Sequence, residues 1–332
     1  MNKDNTPVLF NPASIREMAI AFQKSRVLLT AYELDLFTAL DGHLTTTASI
    51  AEKLHADEKA LDKLLNALVA IGFVYKTHGK YFNTEESSKY LVRGKPEYIS
   101  GLMHTNHLWN SWSTLTKAVK AGTSVHKREE SETDHLDSFI GAMHYRAVPQ
   151  SKIISMLIDF TGVKKTLDLG GGSGAFSITF IKNNNDVHAT ILDIPDVVEI
   201  AKKYAEKDGV LNKMSFIKGD YLNDDYGKDY DLIFASAIIH INSFEENKNL
   251  VQKSYDALNR GGQLVILDHI MNEDRTEPAV GTMFALNMLV NTRAGGTYTE
   301  SEIRSWMIDA GFKNIERKDT SFGTGLMIGK KL

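Results

Sequence analysis

The chain has 332 residues, 42% of them hydrophobic, and a net charge of −4, which predicts one large domain plus a smaller one and gives no reason to expect nucleic acid as a partner. It has no cysteine, which excludes disulfides and thiolate metal sites and fits a reducing compartment. No signal-peptide core stands at the N-terminus and no apolar run reaches the ~18 residues of a membrane span, so we expect a cytoplasmic protein without membrane partners.

Residues from about 13 to 96 predict short helices followed by a hairpin. Apolar stripes at helical spacing cover 47–54 and 59–68, and segments 73–76 and 80–82 flank a Thr-His-Gly turn as two strands. This is a winged helix-turn-helix pattern, which is compatible with a DNA-binding regulator. The stretch 48–72, however, holds four acids against three lysines, whereas a recognition helix normally carries positive charge. The stripe of Leu61, Leu64, Leu65 and Leu68 therefore favours helix packing.

A helical connector follows at 101–150. Its apolar segments 108–112 and 139–144 are interrupted by the polar stretch 122–135, which we expect to be a surface loop. His104 and His107 have the spacing of two metal ligands, but no third ligand stands nearby. We therefore predict no metal site.

Strands and helices alternate from about residue 151 onwards. We expect strands near 166, 190 and 215, over 231–240 and over 263–269, with two closing strands at 315–317 and 326–329. Such alternation predicts an α/β fold with a Rossmann-like, doubly wound, mostly parallel sheet.

The glycine-rich segment 168–174 lies between a predicted strand and a predicted helix. Gly170, Gly172 and Gly174 let the chain turn tightly and bring backbone N–H groups and a helix N-terminus against a ligand. Gly170, Gly172 and Ala175 also satisfy the dinucleotide pattern G-x-G-x-x-A, so the glycines alone leave NAD open beside S-adenosylmethionine. Asp168 favours the latter, because its carboxylate could steer the ammonium of an amino acid, which NAD lacks.

Two further carboxylates end the next two strands. Asp193 is placed to accept both ribose hydroxyls, and Asp220 to accept from an adenine amino group. His240 ends the strand predicted over 231–240, just before a helix whose capping box pairs Ser243 with Glu246. A neutral histidine of pKa ~6.5 can take a proton from a phenol of pKa ~10, so His240 is a candidate base.

At these residues the chain resembles class I S-adenosylmethionine-dependent methyltransferases, in particular the small-molecule O-methyltransferases that include plant phenolic and acetylserotonin enzymes. Segments 168–174, 192–197, 219–221, 238–240 and 294–302 carry the resemblance. It implies a dimerisation domain at 1–100, a connector at 101–150 that contributes to the acceptor pocket, a cofactor domain at 151–332, and a homodimer. S-adenosylmethionine would be the cofactor and S-adenosylhomocysteine the product. The cofactor residues would be Asp168, Gly170, Gly172, Gly174, Asp193, Asp220, Tyr221 and Ser236.

The resemblance also places the family's catalytic histidine on His240. Plant members follow it with Asp and Trp, whereas Ile241 and Asn242 stand here. They orient the base with two glutamates, of which the first matches the shorter Asp268 and the second falls near 297–298, where no carboxylate exists. A weakly activated base leaves C- or N-methylation open as alternatives to O-methylation.

The acceptor is expected to be a small, aromatic molecule, since methionine and aromatic side chains can clamp a flat ring and amides can orient a hydroxyl. Candidate acceptor-binding residues are Trp109, Met143, His144, Met283, Asn287, Met288 and Asn291. Two further alternatives stay open at this point, namely an S-adenosylmethionine-binding relative with hydroxylating or decarboxylating chemistry, and an NAD oxidoreductase.

Overall fold

The computed structural model describes residues 10–99, 101–127 and 136–332. The chain divides into two compact units, Met1–Asn106 and His107–Leu332. The last part of the predicted surface loop, 128–135, lies outside the described residues. Within the described ranges, no helix has both the length and the apolar content that crossing a membrane requires.

The first unit is mainly helical. Its elements are α1 (Pro12–Ile20), α2 (Phe22–Glu33), α3 (Leu36–Ala39), β1 (Thr45–Thr46), α4 (Thr47–Leu54), α5 (Glu58–Ala70), β2 (Val74–Thr77), β3 (Lys80–Asn83) and α6 (Glu85–Tyr90). The predicted hairpin is confirmed, because β2 and β3 pair antiparallel with Val74 opposite Asn83. On α5 the predicted stripe faces the core: Leu61, Leu65 and Leu68 are buried, and Leu64 packs against them half-buried.

The second unit alternates strands and helices, as predicted. After α7 (Leu102–Trp112), which crosses the boundary between the units, come α8 (Leu115–Ala121), α9 (Leu136–Leu157), β4 (Lys165–Leu169), α10 (Ala175–Asn183), β5 (His188–Asp193), α11 (Pro195–Lys207), β6 (Met214–Lys218), β7 (Tyr230–Ser236), α12 (Phe244–Ala257), β8 (Leu258–Asp268), β9 (Ile270–Met271), α13 (Ala279–Asn291), β10 (Tyr298–Thr299), α14 (Glu300–Ala310), β11 (Lys313–Asp319) and β12 (Gly325–Lys330).

The main sheet has seven strands in the order β11-β12-β8-β7-β4-β5-β6. The ladders from β8 to β6 are parallel, and β12 runs antiparallel to both of its neighbours. This confirms the doubly wound, mostly parallel sheet. Because β4 pairs with β5 on one side and β7 on the other, the strand order reverses there, and ligands of such sheets bind at the carboxyl ends beside that point.

The strand predicted over 231–240 is shorter than expected. It ends at Ser236, and His240 lies on a single 3₁₀ turn, Ile239–Ile241. Ala237 adopts a left-handed backbone with φ 56°, which interrupts the extended chain. The predicted capping box then starts α12, with Ser243 accepting from the Glu246 amide and Glu246 from the Ser243 amide. An equivalent capping box starts α14, with Thr299 accepting from the Glu302 amide and Glu302 from the Thr299 amide.

Candidate active site

The turn after β4 has the backbone that only glycine adopts readily. Gly170, Gly172 and Gly174 have φ of +60°, +57° and +76°, in the left-handed region. A Cβ on Gly170 would lie 2.8 Å from Ile238 Cγ2, and one on Gly174 would lie 2.8 Å from Ile191 Cδ1. Both the conformation and the close packing therefore require glycine here. The turn feeds into α10, whose N-terminus favours negative charge.

Asp193 at the end of β5 is tied to this turn. Its Oδ2 accepts from the Gly172 amide at 2.9 Å and its Oδ1 from the Ile194 amide at 2.8 Å. Burial raises the pKa of the Asp193 carboxyl, while these two backbone donors lower it. A carboxylate with two oxygens fixed at a strand end still has lone pairs for hydroxyl donors, so the geometry suits a ribose.

Asp168 is sealed beneath the turn. Only 2% of it is exposed, and its Oδ2 accepts from the Ser177 hydroxyl of α10 at 2.7 Å. Burial raises the pKa of Asp168 to about 7, with the Ser177 hydrogen bond opposing the shift. Its observed contact is thus with the helix that follows the turn, and a direct contact with a ligand ammonium stays a prediction.

The remaining predicted cofactor residues lie at the same edge of the sheet. Asp220 follows β6, and its carboxylate accepts from the Leu222 amide and the Asn223 side chain. The Tyr221 ring lies 3.5 Å from the Cβ position of Gly170, so it borders the glycine turn. Ser236 is the last residue of β7. The carboxyl ends of β4, β5, β6 and β7 therefore bring the predicted set together around one turn.

His240 and Asp268 form a buried pair. The His240 Nδ1 lies 2.9 Å from both carboxylate oxygens of Asp268, the last residue of β8. Asp268 Oδ1 also accepts from the His269 amide at 2.8 Å. The shorter acid thus reaches the histidine, and a carboxylate on Nδ1 fixes the ring with its proton there. The Phe284 ring stands perpendicular to the His240 ring at 4.7 Å.

The segment 294–296 holds the His240 backbone. The Gly296 amide donates to the His240 carbonyl at 2.9 Å. A Cβ on Gly295 would lie 2.3 Å from that same carbonyl oxygen, which no real Cβ tolerates. Gly295 therefore lets this loop pack directly against the turn that carries His240.

Helix α13 carries four of the predicted acceptor residues, and two of them, Asn287 and Asn291, are hydrogen-bonded to each other. Asn287 Oδ1 accepts from the Trp112 indole N–H at 2.9 Å and from the Asn291 amide at 3.0 Å. Met288 is buried, while Met283 is exposed over 56% of its surface. These contacts bind α7 to α13 and use the Asn287 oxygen within the protein, so only its Nδ2 donor is left for an acceptor.

The three other acceptor candidates lie on helices α7 and α9. Trp109 and Met143 are half-buried there. His144 lies against the glycine turn, with Nδ1 2.8 Å from the Ser173 hydroxyl and its ring stacked on Tyr204 at 4.0 Å. Burial lowers the pKa of His144. Helix α9 packs along α10, and this carries His144 to the cofactor side, so its placement fits the cofactor better than the acceptor.

A family profile described as an O-methyltransferase domain matches residues 113–313, and one described as an O-methyltransferase dimerisation domain matches residues 17–93. The chain belongs to the O-methyltransferase family. It is an S-adenosylmethionine-dependent methyltransferase, not the NAD oxidoreductase that the glycine pattern had left open.

Full-length relatives agree with this assignment. The chain is 26% identical to the tetracenomycin polyketide synthesis 8-O-methyl transferase TcmO of Streptomyces glaucescens, over 96% of this chain and 97% of that one. It is 26% identical to the 3-hydroxy-5-methyl-1-naphthoate 3-O-methyltransferase of Streptomyces sahachiroi, over 93% and 92%. The structure of human N-acetylserotonin methyltransferase in complex with SAM shares the fold, with a TM-score of 0.82, 24% identity and coverage of 98% and 99%.

Around His240, this O-methyltransferase departs from the plant enzymes that its sequence resembles. At the position of their second glutamate, the Thr297 carbonyl accepts from Arg275 and the Tyr298 hydroxyl donates to the Asn242 carbonyl. The ring packed on His240 is that of Phe284. An apolar aromatic wall therefore stands beside the histidine, and Asp268 supplies the carboxylate contact.

Several side chains at this site had no role in the sequence analysis. His269 places Nδ1 2.9 Å from the Gly323 carbonyl and packs its ring on Phe284 at 4.6 Å. Trp112 anchors Asn287, and Ser177 anchors Asp168. Their closeness in sequence to predicted site residues was the one signal that could have indicated them: His269 follows Asp268 directly, and Trp112 stands one helical turn after Trp109.

Proposed function

We propose that this enzyme transfers the methyl group of S-adenosylmethionine to a hydroxyl of a flat aromatic small molecule, with His240 as the general base. The observation that carries the proposal is the His240 Nδ1 contact with Asp268 at 2.9 Å. The two bacterial relatives and the human enzyme are named for tetracenomycin polyketide synthesis, a hydroxynaphthoate and N-acetylserotonin, which supports an acceptor of this class.

The cofactor would be held at the glycine turn. Gly170 to Gly174 would present backbone amides, Asp193 would accept from the ribose hydroxyls, and Asp220 and Tyr221 would border the adenine. When bound, S-adenosylmethionine supplies a methyl group on a positively charged sulfur. The positive φ values of the turn and the carboxylate of Asp193 bonded to the Gly172 amide fit such a group.

The proton would be handled by the imidazole of His240. With its Nδ1–H donated to Asp268, the lone pair lies on Nε2, which can accept the acceptor's hydroxyl proton as the oxygen attacks. Asp268 would stabilise the imidazolium that forms, as a buried carboxylate does when it faces a charged ring. General-base help of this kind accelerates a reaction about 10²- to 10⁴-fold.

The acceptor would lie against α13. Phe284 offers a ring face next to the base, and Asn287, fixed by Trp112, offers its Nδ2 as a donor to an acceptor oxygen. Flat aromatic molecules suit a pocket with apolar walls and few polar groups.

A panel assay tests the proposal. Purified protein and methyl-labelled S-adenosylmethionine would be incubated with 1-naphthol, 3-hydroxy-2-naphthoate, N-acetylserotonin and, as a nitrogen acceptor, 1-naphthylamine. We expect label in at least one hydroxyl compound, and a loss of about 10²-fold or more in His240→Gln. His188→Gln, exposed on β5, is the matched control and should keep full activity. Label in the amine alone, or full activity of His240→Gln, would contradict the proposal.

N- or C-methylation is a second candidate, and one observation favours it. The second carboxylate of the plant enzymes is replaced here by a carbonyl and a tyrosine, so the base has one acid partner. An acceptor atom that is already nucleophilic needs less help from a base, and the 1-naphthylamine arm of the panel detects this outcome.

We further propose a homodimer through the first unit. The family's dimerisation domain covers 17–93, and helix α1 exposes Ile15, Met18 and Ile20 over more than half of their surfaces. Apolar side chains grouped in this way on a helix are typical of a surface that is covered in an assembly. Because the stretch 48–72 carries four acids against three lysines, nucleic acid is not expected to compete for this unit.

A further inference from the structure

Two buried amides lie behind the turn that carries His240. Asn242 follows the turn and is 2% exposed, and Asn247 on α12 is fully buried. Burying an amide is costly unless its hydrogen bonds are made. Neither residue belongs to the cofactor or acceptor sets, and Asn242 stands where plant members carry tryptophan.

The hydrogen bonds of the pair run in one direction. The Tyr221 hydroxyl donates to Asn242 Oδ1 at 3.3 Å, Asn242 Nδ2 donates to Asn247 Oδ1 at 3.0 Å, and Asn247 Nδ2 donates to the Ile239 carbonyl at 2.8 Å. The Tyr298 hydroxyl holds the Asn242 carbonyl at 2.6 Å. Each amide therefore uses both its donor and its acceptor, which fixes its orientation.

The two ends of this chain are functionally distinct. Tyr221 borders Gly170 in the glycine turn, while Ile239 is the first residue of the 3₁₀ turn that holds His240. The opposite side of the same turn is held by the Gly296 amide on the His240 carbonyl. The pair thus connects the wall of the cofactor site with the backbone of the base.

We propose that Asn242 and Asn247 are positioning residues for methyl transfer, which set the place of His240 relative to the cofactor site. This inference rests on the proposed role of His240 as base. The pair positions His240 through hydrogen bonds to the backbone of its turn, whereas an additional acid partner would position it through the histidine ring. A misplacement of about 1 Å at a reacting group can cost 10²-fold in rate, so small shifts of the turn matter.

The titratable groups around the pair are Tyr221, Tyr298, His240 and Glu246. Burial raises the pKa of Tyr221 and that of Tyr298 to about 12 each, so both hydroxyls stay donors across the assay range. Glu246 is engaged by the Ser243 amide and Arg293. A carboxyl placed at position 247 would thus be the new titrating group inside the network.

Asn247→Asp tests the inference through pH. A protonated carboxyl supplies the same donor and acceptor as the amide, whereas an ionised one has no donor and faces the Ile239 carbonyl. With the most active acceptor of the panel, the wild-type kcat should not decrease as the pH is raised to 9. The kcat of Asn247→Asp should instead decrease as the new carboxyl ionises, to about 10- to 100-fold below wild type at pH 9. Asn249→Asp, exposed on the same helix, should follow the wild type.

Asn247→Leu removes the donor at every pH and covers the case in which the new carboxyl stays protonated. We expect kcat to fall about 10- to 100-fold, with S-adenosylhomocysteine affinity within twofold of wild type. In a His240→Gln background the same change should have no further effect. A kcat within twofold of wild type for both variants, a loss that persists without His240, or a parallel loss of cofactor affinity would overturn the inference. Full activity of His240→Gln alone would instead overturn the role of the base.

Discussion

The two buried carboxylates of the site have different partners and therefore different tasks. Asp268 faces an imidazole N–H and a backbone amide, whereas Asp168 faces one hydroxyl beneath the glycine turn. A carboxylate opposite a group that becomes cationic is stabilised when the reaction needs it. The acid under the turn has no such counter-charge, so it is the more costly charge to bury.

Asp268→Asn tests the contact between Asp268 and His240. The amide would keep an acceptor for the His269 amide but present its own N–H groups to His240 Nδ1, which favours the tautomer with the proton on Nε2. That tautomer has no lone pair on Nε2 to take the acceptor's proton, so kcat should fall about 10²-fold or more while S-adenosylhomocysteine binding by calorimetry stays unchanged. The exposed Asp256→Asn serves as control, and a kcat near wild type for Asp268→Asn would count against the pair.

Asp168→Asn tests the cost of burying the charge of Asp168 beneath the glycine turn. The folded-state pKa of about 7 lies above the unfolded value of about 3.9. The folded state therefore binds the proton more tightly, and this residue lowers stability progressively as pH rises from about 4 to about 7. Thermal unfolding should show a weaker decline of Tm over that range in the variant, and a higher Tm at pH 8. The exposed Asp186→Asn should parallel the wild type; identical slopes for Asp168→Asn would refute the burial cost.

Asp193→Ala tests the cofactor site. Loss of the carboxylate removes the proposed ribose acceptor and the acceptor of the Gly172 amide, so the Kd for S-adenosylhomocysteine should rise about 10²-fold or more. Calorimetric titration measures this, with Asp196→Ala, exposed on α11, as the matched variant. Equal affinities of the two variants would place the ribose elsewhere.

Among the elements of the fold, the 3₁₀ turn that contains His240 is held between the loop at 294–296 and helix α12. The loop at 294–296 presses on its carbonyl from one side, and α12 holds it through Asn247 from the other. A single 3₁₀ turn has few hydrogen bonds of its own, so its position depends on these neighbours.

Gly295→Ala tests whether the loop at 294–296 constrains the His240 turn, and Gly296→Ala at the adjacent position is its control. The new Cβ at 295 would meet the His240 carbonyl, while one at 296 meets nothing within 4 Å. Overpacking of this kind costs about 1–3 kcal/mol, so Tm should drop by several degrees and kcat should fall, because the turn must shift. If both variants keep wild-type kcat and Tm, the loop does not constrain His240.

The sequence predicted the elements better than their contacts. Strand and helix alternation placed the glycine turn and Asp193 at one edge, because both are fixed by neighbouring residues in the chain. The predicted end of β7 was wrong, because nothing in the apolar run indicates that Ala237 takes a left-handed backbone. The reach of Asp268 to His240 depends on the pairing of β7 with β8, and the contact of Trp112 with Asn287 joins residues far apart in sequence. Neither was accessible from local pattern.

For the whole molecule, the proposed homodimer leads us to expect a mass of twice that of the chain in sedimentation equilibrium. Ile15→Glu combined with Met18→Glu places two charges on one face of α1, where burial in an interface would be costly. The variant should sediment as a monomer at concentrations at which the wild type is dimeric. Lys24→Glu, also exposed, should remain dimeric, and an unchanged mass for the double variant would move the interface away from α1.

An acceptor that carries both a hydroxyl and an amine tests base-assisted O-methylation most directly. 5-Amino-1-naphthol would be incubated with ¹³C-methyl S-adenosylmethionine, and the product's methyl carbon identified by NMR. We predict a methoxy signal whose rate of appearance falls about 10²-fold or more in His240→Gln. An N-methyl signal alone, formed equally fast by His240→Gln, would contradict base-assisted O-methylation.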